Sequence, residues 1–207
     1  MRALIIQPKL EHALSQLELE LRQNTVDIVI LPEGYLNENL EQACRLAKQY
    51  NTVLIGGYRK MNERPKDRAV IINRAGEIVL DRVKYSDTAY AQVEEITVGH
   101  ILCDELIIQG IKNEKDMTID VIVHPIGVGM FSEAQFQEWI ESAQKIAAKH
   151  QAMIIGTSHA DGTFRDSNIS IPIAYCFNNR GETIFIAKND TRPRILNISS
   201  GKIQIIN

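Results

Sequence analysis

Val26-Asp-Ile-Val-Ile-Leu-Pro32 and Ile119-Asp-Val-Ile-Val-His-Pro125 are one phrase written twice. Each is a β-branched, apolar run with an aspartate in second place and a proline that closes it. A continuous run, rather than an alternating one, suits a strand covered on both faces. Proline biases the residue before it to extended backbone and ends the run. The surroundings repeat as well. Asn51-Thr-Val-Leu-Ile-Gly56 lies over Gln151-Ala-Met-Ile-Ile-Gly156, and Asn73-Arg-Ala-Gly-Glu77 lies near Asn178-Asn-Arg-Gly-Glu182. A strand–helix–strand–helix–strand–hairpin unit has been duplicated, with the first crossover weak in the second copy. Two copies are too few for a solenoid. Each copy makes a sheet with helices on one face, and the two bare faces can be buried only against each other. The expected architecture is α/β, a four-layer αββα sandwich of two pseudo-repeated halves.

The periodicities place the elements. In the first half, residues 2–7 read as a strand ended by Pro8. Leu10, Leu14, Leu17 and Leu21 recur at helical spacing, and Asn37 can cap a second helix with Leu40, Ala43, Cys44 and Ala47 on one face. Residues 52–55 read as a strand, 59–68 as a polar and basic loop, and 69–73 with 77–83 as a hairpin about Arg74-Ala75-Gly76. In the second half, 96–102 is a strand and 104–117 a loop with some helix. Residues 119–124 are a strand. Ser132 and Gln135 form a capping box for a long helix with a Phe136, Trp139, Ile140, Ala143 and Ile146 stripe. Residues 152–155 are a strand, 169–177 and 182–187 a hairpin, and 194–198 and 202–206 two closing strands.

The composition excludes several classes. A length of 207 residues suits one domain, residues 1–207, with a substantial core. A net charge of -3 gives no general argument for nucleic acid or an anionic membrane, and no apolar run reaches the length of a membrane span. Three cysteines without paired spacing argue against a disulfide framework, so reduced thiols and a cytoplasmic protein are expected.

In sheets of this kind the usable cavity lies beyond the carboxyl ends of the strands. Three such ends carry reactive groups: Leu31-Pro32-Glu33, Arg82-Val83-Lys84 and Leu102-Cys103. A free thiol is only a few per cent thiolate at neutral pH, so an attacking cysteine needs a base. Glu33 can take that proton as Cys103 attacks a carbonyl or nitrile carbon, and can return it to a departing amine. Lys84, with the backbone N–H just after the cysteine, can hold the developing oxyanion. No metal or cofactor is required.

These residues resemble the nitrilase or carbon-nitrogen hydrolase superfamily. Leu31-Pro32-Glu33-Gly34 is similar to its glutamate motif. Lys84 sits where a hairpin's second strand delivers its lysine. Ile101-Leu102-Cys103-Asp104-Glu105 is similar to its nucleophile motif, in which an acid commonly stands two places after the cysteine. The resemblance covers nearly the whole chain and implies a Glu-Lys-Cys triad, small amide, carbamoyl or nitrile substrates, and a homodimer or higher homo-oligomer. It also implies a further glutamate, for which Glu94 or Glu95 is the candidate. Asp104 stands where the family has an aromatic residue, and Arg82 where a tyrosine is often found.

Asp104, Glu105 and His124 are the candidates for substrate contacts. Glu105 also reads as a structural acid, bonded to backbone or an arginine. Cys44 and Cys176 read as core residues. His124 and His159, at or just after strand ends, are alternative partners of Cys103 in a Cys-His dyad or polar residues of the sheet rim. Gly127-Val-Gly129 is too little for a phosphate loop. The basic Arg59, Lys60, Arg64, Lys66 and Arg68 stretch reads as a solvated loop, or as a greeting for an anionic substrate. The reading that competes with an amidohydrolase is a nitrilase-like protein that binds a ligand or partner without turnover.

Overall fold

A computed structural model describes residues 1–87, 90–111 and 117–206. The duplicated phrases are the central parallel strands of two sheets. In the first, β1 (Arg2–Ile5), β2 (Ile28–Ile30) and β3 (Val53–Arg59) run parallel, and the antiparallel hairpin β4 (Asp67–Ile72) and β5 (Ile78–Val83) follows. Helices α1 (Ser15–Gln23) and α2 (Leu40–Tyr50) make its crossovers. In the second, β6 (Tyr90–Val93) pairs antiparallel with β7 (Ile96–His100). Then β8 (Val121–Pro125) and β9 (Met153–Thr157) run parallel to β7, joined by the one-turn α3 (Glu105–Ile108) and the long α4 (Glu133–His150). The hairpin β10 (Ile173–Phe177) and β11 (Thr183–Lys188) ends that sheet, and β12 (Arg194–Asn197) and β13 (Ile203–Ile205) return to the first. The strand orders are β13-β12-β1-β2-β3-β4-β5 and β11-β10-β9-β8-β7-β6.

The repeat holds at the level of register. β2 pairs Ile28 with Val53, and β8 pairs Val121 with Met153, which are the same positions of the two copies. The aspartate of each phrase explains its place. Asp27 accepts from the Arg2 N–H at 2.6 Å and Asp120 from the Thr97 N–H at 2.7 Å, so each carboxylate holds the start of the neighbouring parallel strand. Asn51 and Gln151 both end helices in the left-handed conformation. Gly76 and Gly181, both at positive φ, bring the hairpin turns against the Cys44 and Gln144 carbonyls, where a Cβ would stand at 2.5 and 2.7 Å.

Three apolar layers result. Ile5, Ile30 and Ile55 of the first sheet meet Val98, Val123 and Ile155 of the second. Leu17, Leu21, Ala43 and Leu46 cover the outer face of the first sheet over Val29 and Leu54. Phe136, Trp139, Ile140 and Ala143 cover the second over Ile122 and Ile154. Successive residues of one strand thus enter different layers, which accounts for runs with no polar face. No described helix is long and apolar enough to cross a membrane.

Some expectations are corrected. Asn37 does not cap α2: it takes φ 47°, and its side-chain amide donates to the Glu11 and Tyr35 carbonyls, so the helix opens after Asn39. Leu10 precedes α1 and is half exposed, because its N–H is held by the Asp161 carboxylate in the other half. Strand β10 begins at Ile173 rather than residue 169, and β6 was not expected. In the capping box, Ser132 accepts from the Gln135 N–H as expected, but the Gln135 side chain accepts from Phe131 rather than Ser132. Residues 112–116 of the expected 104–117 loop lie outside the described residues.

Candidate active site

Glu33, Lys84 and Cys103 leave the carboxyl ends of β2, β5 and β7 and converge. The Lys84 Nζ lies 2.8 Å from Glu33 Oε1 and 2.8 Å from Asp104 Oδ1. The Cys103 thiol lies among them, close enough for both the Glu33 carboxylate and the Lys84 ammonium to act on its charge. Gly127 makes this meeting possible: a Cβ there would stand 2.9 Å from Glu33 Oε2 and 3.9 Å from Cys103 Sγ.

Cys103 takes φ 52°, an arrangement that costs a non-glycine residue about 1–2 kcal/mol. The surrounding bonds impose it. Its N–H donates to the Pro125 carbonyl at 2.8 Å, and its own carbonyl accepts from His124 Nε2 at 2.8 Å. A carbonyl only accepts, so Nε2 carries the ring proton, and His124 Nδ1 accepts from the Tyr175 hydroxyl. His159 Nε2 donates likewise to the Glu33 carbonyl at 3.3 Å. Both histidines are buried and hold backbone beside the reactive groups, so neither forms a dyad with the sulfur. Burial draws the pKa of each down to about 4 and keeps it neutral.

A second ionic pair fixes the frame. Glu105 and Arg82 form a two-pronged bridge, both contacts 2.7 Å, with side chains 1% and 2% exposed. Glu105 also accepts from the N–H of Leu102, at 2.7 Å, and from that of Tyr85. One carboxylate therefore ties the residue after Lys84 to the residue before Cys103. Glu105 bonds both backbone and an arginine, as the sequence suggested. Burial alone would raise its pKa, but Arg82 and the two N–H groups hold it below the ordinary value. Neither Glu105 nor His124 reaches the cavity, which corrects their reading as substrate contacts. Asp104 does line it, with its other oxygen accepting from the Tyr85 hydroxyl at 2.9 Å.

The electrostatics keep the proton on sulfur at rest and make the carboxylate a better acceptor than a solvated one. Burial, then Glu33, push the Cys103 thiol well above its usual range, so it is protonated at neutral pH. Burial also raises Glu33, against the pull of Lys84, making it a stronger base than a solvated glutamate. Burial alone would lower Lys84, but Glu33 and the neighbouring Cys103 and Asp104 hold it above its ordinary value, as an ammonium.

A cavity of about 510 Å³ opens over these groups. Arg59, Lys66 and Asp67 line it from the first half, and Val128, Met130, Phe131, Trp139, Phe164 and Arg165 from the second. Another cavity, about 590 Å³, lies at the opposite end of the strands around Asp120, Gln151, Asn178 and Ser199. Among its described residues the one carboxylate, Asp120, accepts from the Thr97 N–H, and none carries a thiol or an amine. Glu94 and Glu95 sit on the exposed β6–β7 turn, with Glu94 3.7 Å from Arg74, so neither is the further acid of the site. Among the described residues Asp104 and Asp67 are the additional carboxylates there. Among the described residues no cluster of three or more His, Cys, Asp or Glu side chains is placed to hold a metal ion.

No protein-family model matches the chain, and no curated protein sequence matches it. Its fold does match solved structures. A carbon-nitrogen hydrolase from Helicobacter pylori G27 is 13% identical with a TM-score of 0.75, over 97% of this chain and 90% of that one. Nit3 of Saccharomyces cerevisiae, a nitrilase-superfamily member, is 12% identical with a TM-score of 0.74, over 94% and 88%. A mutant of the amidase of Nesterenkonia sp. AN1, captured with acrylamide added to its active-site cysteine, is 8% identical with a TM-score of 0.74, over 95% and 92%. The chain therefore has the fold of the carbon-nitrogen hydrolases.

Proposed function

We propose that this chain is a thiol-dependent hydrolase of non-peptide carbon–nitrogen bonds and a short member of the nitrilase superfamily. The observation that carries the reading is the Lys84–Glu33 pair at 2.8 Å lining one open cavity together with Cys103. Glu33 takes the thiol proton as sulfur attacks the amide carbon. The Lys84 ammonium, with the Asp104 N–H, receives the developing oxyanion. Protonated Glu33 then gives its proton to the nitrogen, the C–N bond breaks, and ammonia or an amine leaves an acyl-thioester on Cys103. Water, deprotonated by Glu33, hydrolyses the thioester and restores the thiol. The Nesterenkonia amidase, which shares the fold, supports an active-site cysteine reactive toward electrophiles.

The test is ammonia release from a panel of small amides and nitriles by wild type, Cys103→Ala, Cys103→Ser and Glu33→Gln. Turnover by wild type alone is expected, with the variants reduced at least a thousandfold. A wild type without turnover, whose Cys103 is no more reactive than Cys44, contradicts the reading. One feature favours binding without turnover: Asp104 shares the Lys84 ammonium with Glu33 and adds negative charge beside the thiol. That alternative gives saturable ligand binding in the cavity with no thioester.

A further inference from the structure

The cavity over Cys103 carries more positive charge than its own acids use. Among the described residues seven charged side chains line it: Arg59, Lys66, Lys84 and Arg165 against Glu33, Asp67 and Asp104. All three acids are occupied. Glu33 and Asp104 share Lys84, and Asp67 takes Arg59 at 3.1 Å. Among the described residues Lys66 and Arg165 form no ion pair. They come from opposite halves of the fold, Lys66 from the β3–β4 loop and Arg165 from the loop after β9. The Arg165 guanidinium is held over the Phe164 ring, 5.0 Å from its centroid, and Phe164 stacks on Phe131 at 5.9 Å. An aromatic shelf thus supports an unneutralised cation at the wall of the cavity, in a chain whose net charge is -3.

We propose that the substrate is an anionic amide: a carboxylate held by Lys66 and Arg165, an apolar spacer along Val128, Met130 and Phe131, and the amide carbon at Cys103. This rests on the hydrolase reading and specifies its substrate class. The cavity of about 510 Å³ is far larger than a simple amide needs and accommodates such a spacer. A dicarboxylic acid monoamide and water give the dicarboxylate and ammonium, so atoms and charge balance without a co-reactant. The product carries two negative charges beside an ionised Glu33, which favours its release.

Two alkylating reagents test the charge preference without turnover. Iodoacetate and iodoacetamide differ chiefly in charge, and Cys44 in the same chain gives the reference ratio. The iodoacetate to iodoacetamide rate ratio at Cys103 is expected to exceed that at Cys44 at least fivefold. It should fall toward the Cys44 value in Lys66→Gln/Arg165→Gln and as salt is raised. In parallel, the kcat/KM ratio of succinamic acid to butyramide should drop about tenfold in the double variant, mainly through KM. Equal ratios at both cysteines, unmoved by the double variant, overturn the anionic substrate even if amides are hydrolysed through Cys103. A clear iodoacetate preference lost in the double variant, with no ammonia from any amide, upholds the anion subsite and refutes the hydrolase. A Cys103 that reacts with neither reagent refutes both.

Discussion

Replacing Glu105 by glutamine removes one charge from the most enclosed ion pair of the site. The Arg82 guanidinium is 2% exposed and has two 2.7 Å contacts to this carboxylate. Its other partners are the His100 carbonyl at 3.1 Å and a long contact to the Val83 carbonyl. Removing one member of a buried pair typically costs about 3–5 kcal/mol, because the remaining charge is left without a counterion. The Leu102 and Tyr85 N–H groups compete for the single oxygen that remains, which adds about 1 kcal/mol. A total of about 4–6 kcal/mol is a large share of an ordinary domain stability of about 5–15 kcal/mol. Urea unfolding should therefore show a midpoint moved sharply down with an unchanged slope. Arg82→Met completes a double-mutant cycle, and the two losses should add to more than the loss in the double variant. In the folded fraction, Cys103 alkylation should slow, since Leu102 and Tyr85 lose their common anchor. A loss under about 1 kcal/mol, or strict additivity, would refute the clamp.

Gly127→Ala should leave unfolding nearly unchanged while lowering kcat ten- to a hundredfold in steady-state assays, because the new methyl lies 2.9 Å from Glu33 Oε2. Asp104→Asn should lower the pH at which iodoacetamide alkylates Cys103, since the Asp104 charge is one of the groups that raise this thiol. His100, His124 and His159 have pKa values drawn down to about 3, about 4 and about 4 by burial. The unfolded chain therefore takes up protons below about pH 6.5 that the folded chain refuses, and stability is lost as pH falls from there toward 4. Each histidine adds up to about 1.4 kcal/mol per pH unit to that slope, which urea titrations at stepped pH would measure. A flat profile between pH 6.5 and 4.5 would contradict their burial as neutral rings.

The fold was legible because the duplicated phrases carry their own reasons. Asp27 and Asp120 each hold the neighbouring parallel strand, and the runs after them face two apolar layers at once. The three reactive strand ends followed from the same pattern, since parallel strands point their carboxyl ends the same way. Glu105 was readable as a structural acid two residues after the cysteine. Other residues had no local signal. Gly127 matters only because Glu33 and Cys103 arrive from elsewhere, and Arg165 only because Phe164 and Phe131 stack beneath it. The histidines were readable as residues of the sheet rim, but not the backbone bonds they make, because ring orientation depends on tertiary partners such as Tyr175. Leu10 fits the helical period, but its N–H is captured by Asp161 from the other end of the chain.

The most direct test of the site is to quench the protein during turnover of an amide and weigh it intact. The account predicts an added acyl mass that maps to the peptide containing Cys103, that disappears in Cys103→Ala, and that appears no faster than ammonia. Ammonia released without any acyl mass on Cys103, or the same acyl mass on Cys44, would contradict it.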